Sequence, residues 1–120
     1  MTVQSFEELE VYKLAFELQQ EIFDLSRGFP KEEKYSLTDQ IRRSSQSVGS
    51  NIAEAWKKRR YPAHFVSKLT DSDGENGETQ HWLRSALACK YLTDEIFFNL
   101  LKQSNRIGSK LGRMMNNPEQ

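Results

Sequence analysis

Apolar residues recur every three or four positions along almost the whole chain, and no segment keeps the alternation of a β-strand for long. Prolines 30 and 62 fall where long periodic stretches break. The pattern predicts an all-α protein with helices at about residues 6–27, 36–60, 62–91 and 94–115. Helices of this length with short connections pack as an antiparallel up-down-up-down four-helix bundle, here one domain spanning residues 1–120.

The first helix carries two apolar stripes. Val11, Leu18 and Ile22, seven and four residues apart, lie on one stripe of the helix. Phe16 and Phe23, seven residues apart, lie on a neighbouring stripe. A surface helix needs only one apolar stripe. The second stripe therefore either widens the core face or contacts another subunit, which makes Phe16 and Phe23 candidate interface residues.

The second helix is predicted to carry small residues on its outer side. Gly49 and Ala53 fall opposite the apolar stripe, where they would let another backbone approach closely, and we take them as further candidate interface residues. Glycine inside a helix costs about 1 kcal/mol relative to alanine, which favours a kink or a close contact at Gly49. Ser36 and Asp39 are spaced to open this helix with a capping box.

The third helix contains a segment, residues 70–78, whose two glycines and four acids resemble a loop in composition. Leu69, Asn76 and Leu83 nevertheless keep a seven-residue spacing across it, as expected for one uninterrupted helix. A continuous helix places Ser72, Asn76 and Thr79 on the core side. They would form a polar layer there, which has to be hydrogen-bonded.

Composition excludes several classes of function. The 120 residues include 17 basic and 17 acidic side chains, so a protein that neutralises DNA with its whole surface is not expected. The single cysteine, Cys89, allows no internal disulfide and favours a reducing, cytoplasmic location, with the thiol buried. No apolar run approaches the ~20 residues of a membrane span, and the acidic start is not that of a signal peptide, so no membrane partner is expected.

Local charge is uneven despite this balance. Six basic residues and one acid between positions 42 and 60 give +5. The candidate nucleic-acid-binding residues are Arg42, Arg43, Lys57, Lys58, Arg59, Arg60 and Tyr61. Arginine and lysine would contact phosphates, and Tyr61 would stack on a base of single-stranded or looped RNA. The alternative is a solvated helix end, where cations are favourable in any case.

Candidate catalytic and metal-binding patterns are incomplete. Glu78 and His81 form one E-x-x-H motif, whereas a di-iron bundle needs two such motifs and two further glutamates. The acidic run 71–75 would need glycine and glutamate at the positions of Asn76 and Trp82 to be a calcium loop. We therefore expect no enzymatic activity, no metal and no cofactor.

Three stretches carry a family resemblance: FEELEVYKLAFEL, FPKEEKYSLTDQIRRSSQSVGSNIAEA and ENGETQHWLRSALACKYL. Together they resemble the bacterial four-helix-bundle proteins encoded within intervening sequences of 23S rRNA genes. The resemblance implies an antiparallel bundle that assembles as a ring-shaped homopentamer, without enzymatic activity or cofactor. Related accessory proteins of diversity-generating retroelements share the bundle and the pentamer, carry basic surfaces, and bind nucleic acid and a reverse transcriptase.

Two functions remain open at this point. The protein is either a homo-oligomer that binds RNA or DNA, or a scaffold that binds protein partners and no nucleic acid. The basic run favours the first, and a ring would repeat that run by symmetry. The zero net charge and the acidic first helix favour the second.

Overall fold

The computed structural model describes residues 2–117, which form four α-helices and contain no strand. The helices are α1 (Glu10–Ser26), α2 (Leu37–Lys57), α3 (Pro62–Ala88) and α4 (Asp94–Asn116). Short 3-10 turns, Phe6–Glu8 and Lys31–Glu33, precede α1 and α2. The all-α prediction with four helices is confirmed.

The helices run antiparallel in chain order. Thr79 of α3 contacts Ser44 of α2, and Lys68 of α3 contacts Glu54 of α2. Residue numbers therefore rise along one helix as they fall along the other. Each helix packs on the next, and α1 also packs on α4. The result is a four-helix bundle with extents of 44 × 26 × 20 Å.

The helices begin and end differently from the predictions. Residues 6–8 form a 3-10 turn that the extended backbone of Leu9 separates from α1. The capping box predicted at Ser36 is wrong. The Ser36 hydroxyl donates instead to a carboxylate oxygen of Glu33 at 2.6 Å, and that oxygen also accepts from the Leu37 amide. Glu33 therefore satisfies the first amide of α2 from outside the helix.

The second and third helices end earlier than predicted. The second helix ends at Lys57, three residues before the predicted end, and the third ends at Ala88. Lys90 then adopts a left-handed backbone with φ 64°, and the Tyr91 amide donates to the Ala86 carbonyl at 2.9 Å. This is the Schellman arrangement that usually uses glycine.

The core receives one stripe from each helix. On α1 the buried residues are Val11, Ala15, Leu18, Ile22 and Ser26. The second apolar stripe of α1 stays outside this core, with Phe16 45% exposed and Phe23 half-buried. The core face of α1 therefore consists of one stripe and is not widened by Phe16 and Phe23.

The third helix is continuous through residues 70–78, as predicted. Ser72, Asn76 and Thr79 are all buried in the bundle. The Asn76 amide donates to the Ser104 carbonyl at 2.9 Å, and the Ser104 hydroxyl donates back to Asn76 at 2.8 Å. The Thr79 hydroxyl donates to that of Ser44 at 2.9 Å. In the part of the chain that the structure describes, every buried side-chain polar atom has a partner, as a low-dielectric interior requires.

Gly49 is buried, and the prediction that it points outward is wrong. A Cβ added at Gly49 would lie 3.6 Å from Cε1 of Tyr12 and 3.7 Å from Oε1 of Gln19, both on α1. Gly49 therefore faces α1 of its own chain, and a Cβ there would be in ordinary van der Waals contact with these two side chains. Ala53, one turn further along, is half-buried.

Candidate nucleic-acid interface

Four consecutive cations occupy the end of α2 and the turn that leads into α3. They are Lys57, Lys58, Arg59 and Arg60, here called the basic cluster, and all four are exposed. Together with Tyr61 and His64 they line a depression of about 630 Å³. The chain turns here because α2 ends at Lys57 and Pro62 occupies the first position of α3, where its missing N–H is tolerated.

Most of the basic cluster lacks an acidic partner. Glu54 lies one turn back on α2, but its carboxylate is 2.6 Å from Nζ of Lys68 and 3.9 Å from Nζ of Lys58. The hydrogen bond from Lys68 lowers the pKa of Glu54 below its ordinary value. Within residues 2–117, Lys57 and Arg60 form no ion pair. Their charges are therefore available to an external anion.

Arg59 has a structural role at the end of α2. Its guanidinium carbon lies 3.9 Å from the centroid of the Trp56 ring, and Nη1 donates to the Trp56 carbonyl at 2.9 Å. A cation over a tryptophan face and beside free helix carbonyls is favourable in itself. For Arg59, the alternative that these cations only stabilise a solvated helix end therefore applies.

Two aromatic rings stand beside these cations. Tyr61 is 57% exposed, and its ring centroid is 5.5 Å from that of His64 with 46° between the planes. His64 was not among the sequence candidates. Its position three residues after Tyr61, in the first turn of α3, was the available signal, because such residues share a helix face.

Arg42 does not join the basic cluster. Its Nε donates to the Ser26 hydroxyl at 2.7 Å, and its guanidinium carbon lies 4.3 Å from the centroid of the Phe23 ring. Arg27 approaches the same ring at 5.0 Å. Phe23, a candidate for contact with another subunit, is thus partly covered by arginines of its own chain.

Arg43 is also occupied within the chain. One nitrogen donates to Glu75 at 2.9 Å and the other to Glu78, both on α3. These hydrogen bonds, chiefly the one to Glu78, raise the pKa of Arg43. The structure therefore does not bring Arg42 and Arg43 together with the other candidates, because these two arginines pair with groups on α1 and α3.

The remaining interface candidate, Phe16, forms part of a small aromatic patch on α1. Its ring lies 6.1 Å from that of Tyr12 in a stacked orientation. Glu7, Lys13 and Glu17 line a shallow depression beside the two rings. The lining of this depression therefore combines two aromatic rings with three charged side chains.

Other chemistry-bearing side chains lie apart from one another. Glu78 is held by Arg43 and by Nε1 of Trp82 at 3.0 Å, while His81 is exposed. Among the residues described, no group of three His, Cys, Asp or Glu side chains is placed to hold a metal ion. Cys89 is exposed where α3 ends, so the expectation of a buried thiol is wrong. Over the same residues, no helix combines the length and apolarity that a membrane span needs.

The fold and the exposed cations define a small all-α protein, an antiparallel four-helix bundle with one basic end. The model of the 23S rRNA-intervening sequence protein family matches residues 7–113, and the chain belongs to this family. The resemblance noted in the sequence is thereby confirmed.

A solved structure agrees with this assignment. The chain is similar to a protein with unknown function from the S23 ribosomal protein family of Bacteroides thetaiotaomicron VPI-5482, whose crystal structure was determined at 1.70 Å resolution. The two are 29% identical with a TM-score of 0.80, over 88% of this chain and 95% of the other. No curated protein matches the chain.

Proposed function

We propose that this protein is a non-enzymatic RNA-binding protein that contacts phosphates through its basic cluster. The observation that carries the proposal is the convergence of four exposed cations and two aromatic rings on one depression. Among them, Lys57 and Arg60 have no acidic partner within residues 2–117. A cytoplasmic location, expected from the single cysteine, suits an RNA ligand.

The chemistry of the surface sets the type of binding. Contacts from lysine and arginine to phosphates carry no sequence information, so the RNA sequence is expected to have little effect on affinity. Three or four phosphate contacts to a single strand give a slope of about −2 to −3 in a plot of log affinity against log salt. Tyr61 and His64 offer faces on which unpaired bases stack, which favours single-stranded or looped RNA over duplex.

A titration of labelled single-stranded RNA at low and at moderate salt tests the proposal. The informative variant is Lys57→Gln/Lys58→Gln/Arg60→Gln, which keeps Arg59 on the Trp56 ring. Lys31→Gln/Lys34→Gln/Lys102→Gln is the matched control, since these lysines are also exposed and make no ion pair among residues 2–117. Both variants change net charge by the same amount.

We expect the first variant to lose most of its affinity and most of its salt dependence, and the control to bind like the wild type. Equal loss of RNA affinity in both variants would show that binding depends on net charge and not on the basic cluster. Binding by neither wild type nor control at low salt would rule the proposal out.

Tyr61 supplies a second test. Tyr61→Ala is expected to weaken RNA binding by about fivefold or more, since stacking of a base on an aromatic ring contributes roughly 1–3 kcal/mol. Tyr61→Phe keeps the ring and should bind like the wild type. If both substitutions leave affinity unchanged, the bases do not stack there.

We further propose that the protein is a homo-oligomer, and specifically the ring-shaped pentamer that the family resemblance implies. The exposed Phe16 ring and the half-buried Ala53 support a contact surface between copies. Light scattering should report about five times the 14.0 kDa chain. Phe16→Glu and Ala53→Arg should lower that mass, whereas Tyr35→Ser, at another exposed aromatic residue, should not. A 14.0 kDa species at micromolar concentration would exclude the assembly.

A scaffold for protein partners is the second candidate function. The Phe16 patch favours it, because aromatic residues are enriched at protein contact surfaces. The chain also carries no net charge. RNA affinity that is equal in the wild type and in the basic-cluster variant would favour the scaffold.

A further inference from the structure

The cations of the basic cluster are concentrated at one point of the molecule. All four line the same depression at the α2–α3 end of the bundle, whereas Arg42 and Arg43 are bound to groups of their own chain. Internal phosphodiesters carry one charge each and are spread along a strand, so a linear row of cations would match them best. A compact group of cations matches instead an anion whose charge is concentrated.

A phosphate monoester is such an anion. It carries about −1.5 to −2 charges near pH 7 and presents three acceptor oxygens, whereas an internal phosphodiester carries one charge. Lysines act as point charges toward it and the arginine fork donates two parallel hydrogen bonds. Lys57 and Arg60 supply one group of each kind without an acidic partner among the described residues.

The rings of Tyr61 and His64 border the same depression. A base bound against the exposed Tyr61 face would leave its own phosphate near the cations. The volume, about 630 Å³, falls in the range of sites that take a single small ligand. Charge, aromatic surface and size therefore suit one nucleotide with its phosphate.

We infer that the basic cluster, with Tyr61 and His64, receives the terminal nucleotide of an RNA strand that ends in a phosphate monoester. The inference rests on the proposed RNA binding and specifies which part of the RNA is bound.

The experiment compares four forms of one short unstructured RNA of the same sequence: 5′-phosphorylated, 3′-phosphorylated, unphosphorylated at both ends, and circular. Wild-type protein at moderate salt should bind one phosphorylated form about tenfold more tightly than the unphosphorylated form, the gain expected of an added charge-assisted hydrogen bond. The circular form should bind no better than the unphosphorylated one. Which end is preferred identifies the terminus.

The variants decide whether the preference belongs to this site. Lys57→Gln/Lys58→Gln/Arg60→Gln should abolish the tenfold difference, and Lys31→Gln/Lys34→Gln/Lys102→Gln should keep it. Equal affinity of wild type for all four forms, weakened by the first variant, would overturn the inference and leave the proposed RNA binding intact. No binding of any form would overturn both.

Discussion

The reach of long side chains determines which charges of this molecule form pairs and which stay unpaired in solvent. Arg42 and Arg43 are neighbours in sequence, yet one reaches across to α1 and the other to α3. Lys57, the last residue of α2, and Arg60, in the turn after it, have no acidic partner among residues 2–117. The end of α2 and this turn therefore concentrate unpaired positive charge in neighbouring residues.

Lys90 is the residue whose backbone conformation fits its side chain least well. Its φ of 64° is in the left-handed region, where a Cβ atom approaches the following carbonyl. Lys90→Gly is expected to stabilise the protein by about 0.5–1 kcal/mol, measured as a higher urea midpoint. Lys90→Ala keeps the Cβ atom and should bring no such gain. A lower midpoint for the glycine variant would contradict this account of the end of α3.

At the scale of the helix, periodicity predicted more than composition did. Leu69, Asn76 and Leu83 kept the phase of α3 through a segment that looks like a loop, because burial follows the helical period whatever the intervening residues are. The sequence could not show that Gly49 faces Tyr12, since the angle at which α1 crosses α2 depends on packing of the whole bundle. The position of the basic cluster was predictable. Its separation from Arg42 and Arg43 was not, because their partners are distant in sequence.

Gly74 and Gly77 lie on the exposed side of α3, and an added Cβ would meet no atom within 4 Å at either position. Gly74→Ala and Gly77→Ala should therefore each stabilise the helix by about 0.5–1 kcal/mol, seen as a rise of a few degrees in melting temperature. A loss of stability at position 74 or 77 would show that something else approaches this side of α3.

Asn76 joins α3 to α4 by a reciprocal pair of hydrogen bonds with Ser104. Asn76→Ala should destabilise the protein by roughly 1–3 kcal/mol, since it removes the acceptor of the buried Ser104 hydroxyl and a donor to the Ser104 carbonyl, and opens a cavity. Asn99→Ala, also on α4 but exposed and hydrogen-bonded to Gln103 of its own helix, is the matched control and should cost under about 0.5 kcal/mol. Equal effects of the two substitutions would mean that the polar layer does not hold these helices together.

Carboxylates that join different elements make the stability of the whole molecule depend on pH. Hydrogen bonds from Ser36 and Tyr91 lower the pKa of Glu33, one from Lys68 lowers that of Glu54, and one from Trp82, together with Arg43, lowers that of Glu78. Because the folded-state pKa values lie below the ordinary 4.5, their contribution is present above pH 4.5 and is lost as pH falls through the lower values.

The melting temperature is therefore expected to fall as pH is lowered from 4.5 toward 3. In Glu33→Gln, which cannot titrate at this position, the fall should be smaller than in the wild type. Glu32→Gln changes an exposed neighbouring glutamate and serves as the control. If Glu33→Gln and the wild type lose stability in parallel, the contacts of Glu33 with Ser36 and Tyr91 contribute nothing to folding.

The turn that carries the basic cluster also divides the chain into two helical hairpins, α1–α2 and α3–α4. Trypsin cleaves after lysine and arginine, and it finds four such residues in a row here, exposed and at the end of a helix. Brief digestion should nick the chain between residues 57 and 61, while contacts such as the hydrogen bond from Thr79 to Ser44 help keep the two hairpins together. RNA seated on the turn would shield it, so the rate of nicking reports how much of the protein is occupied, without any label.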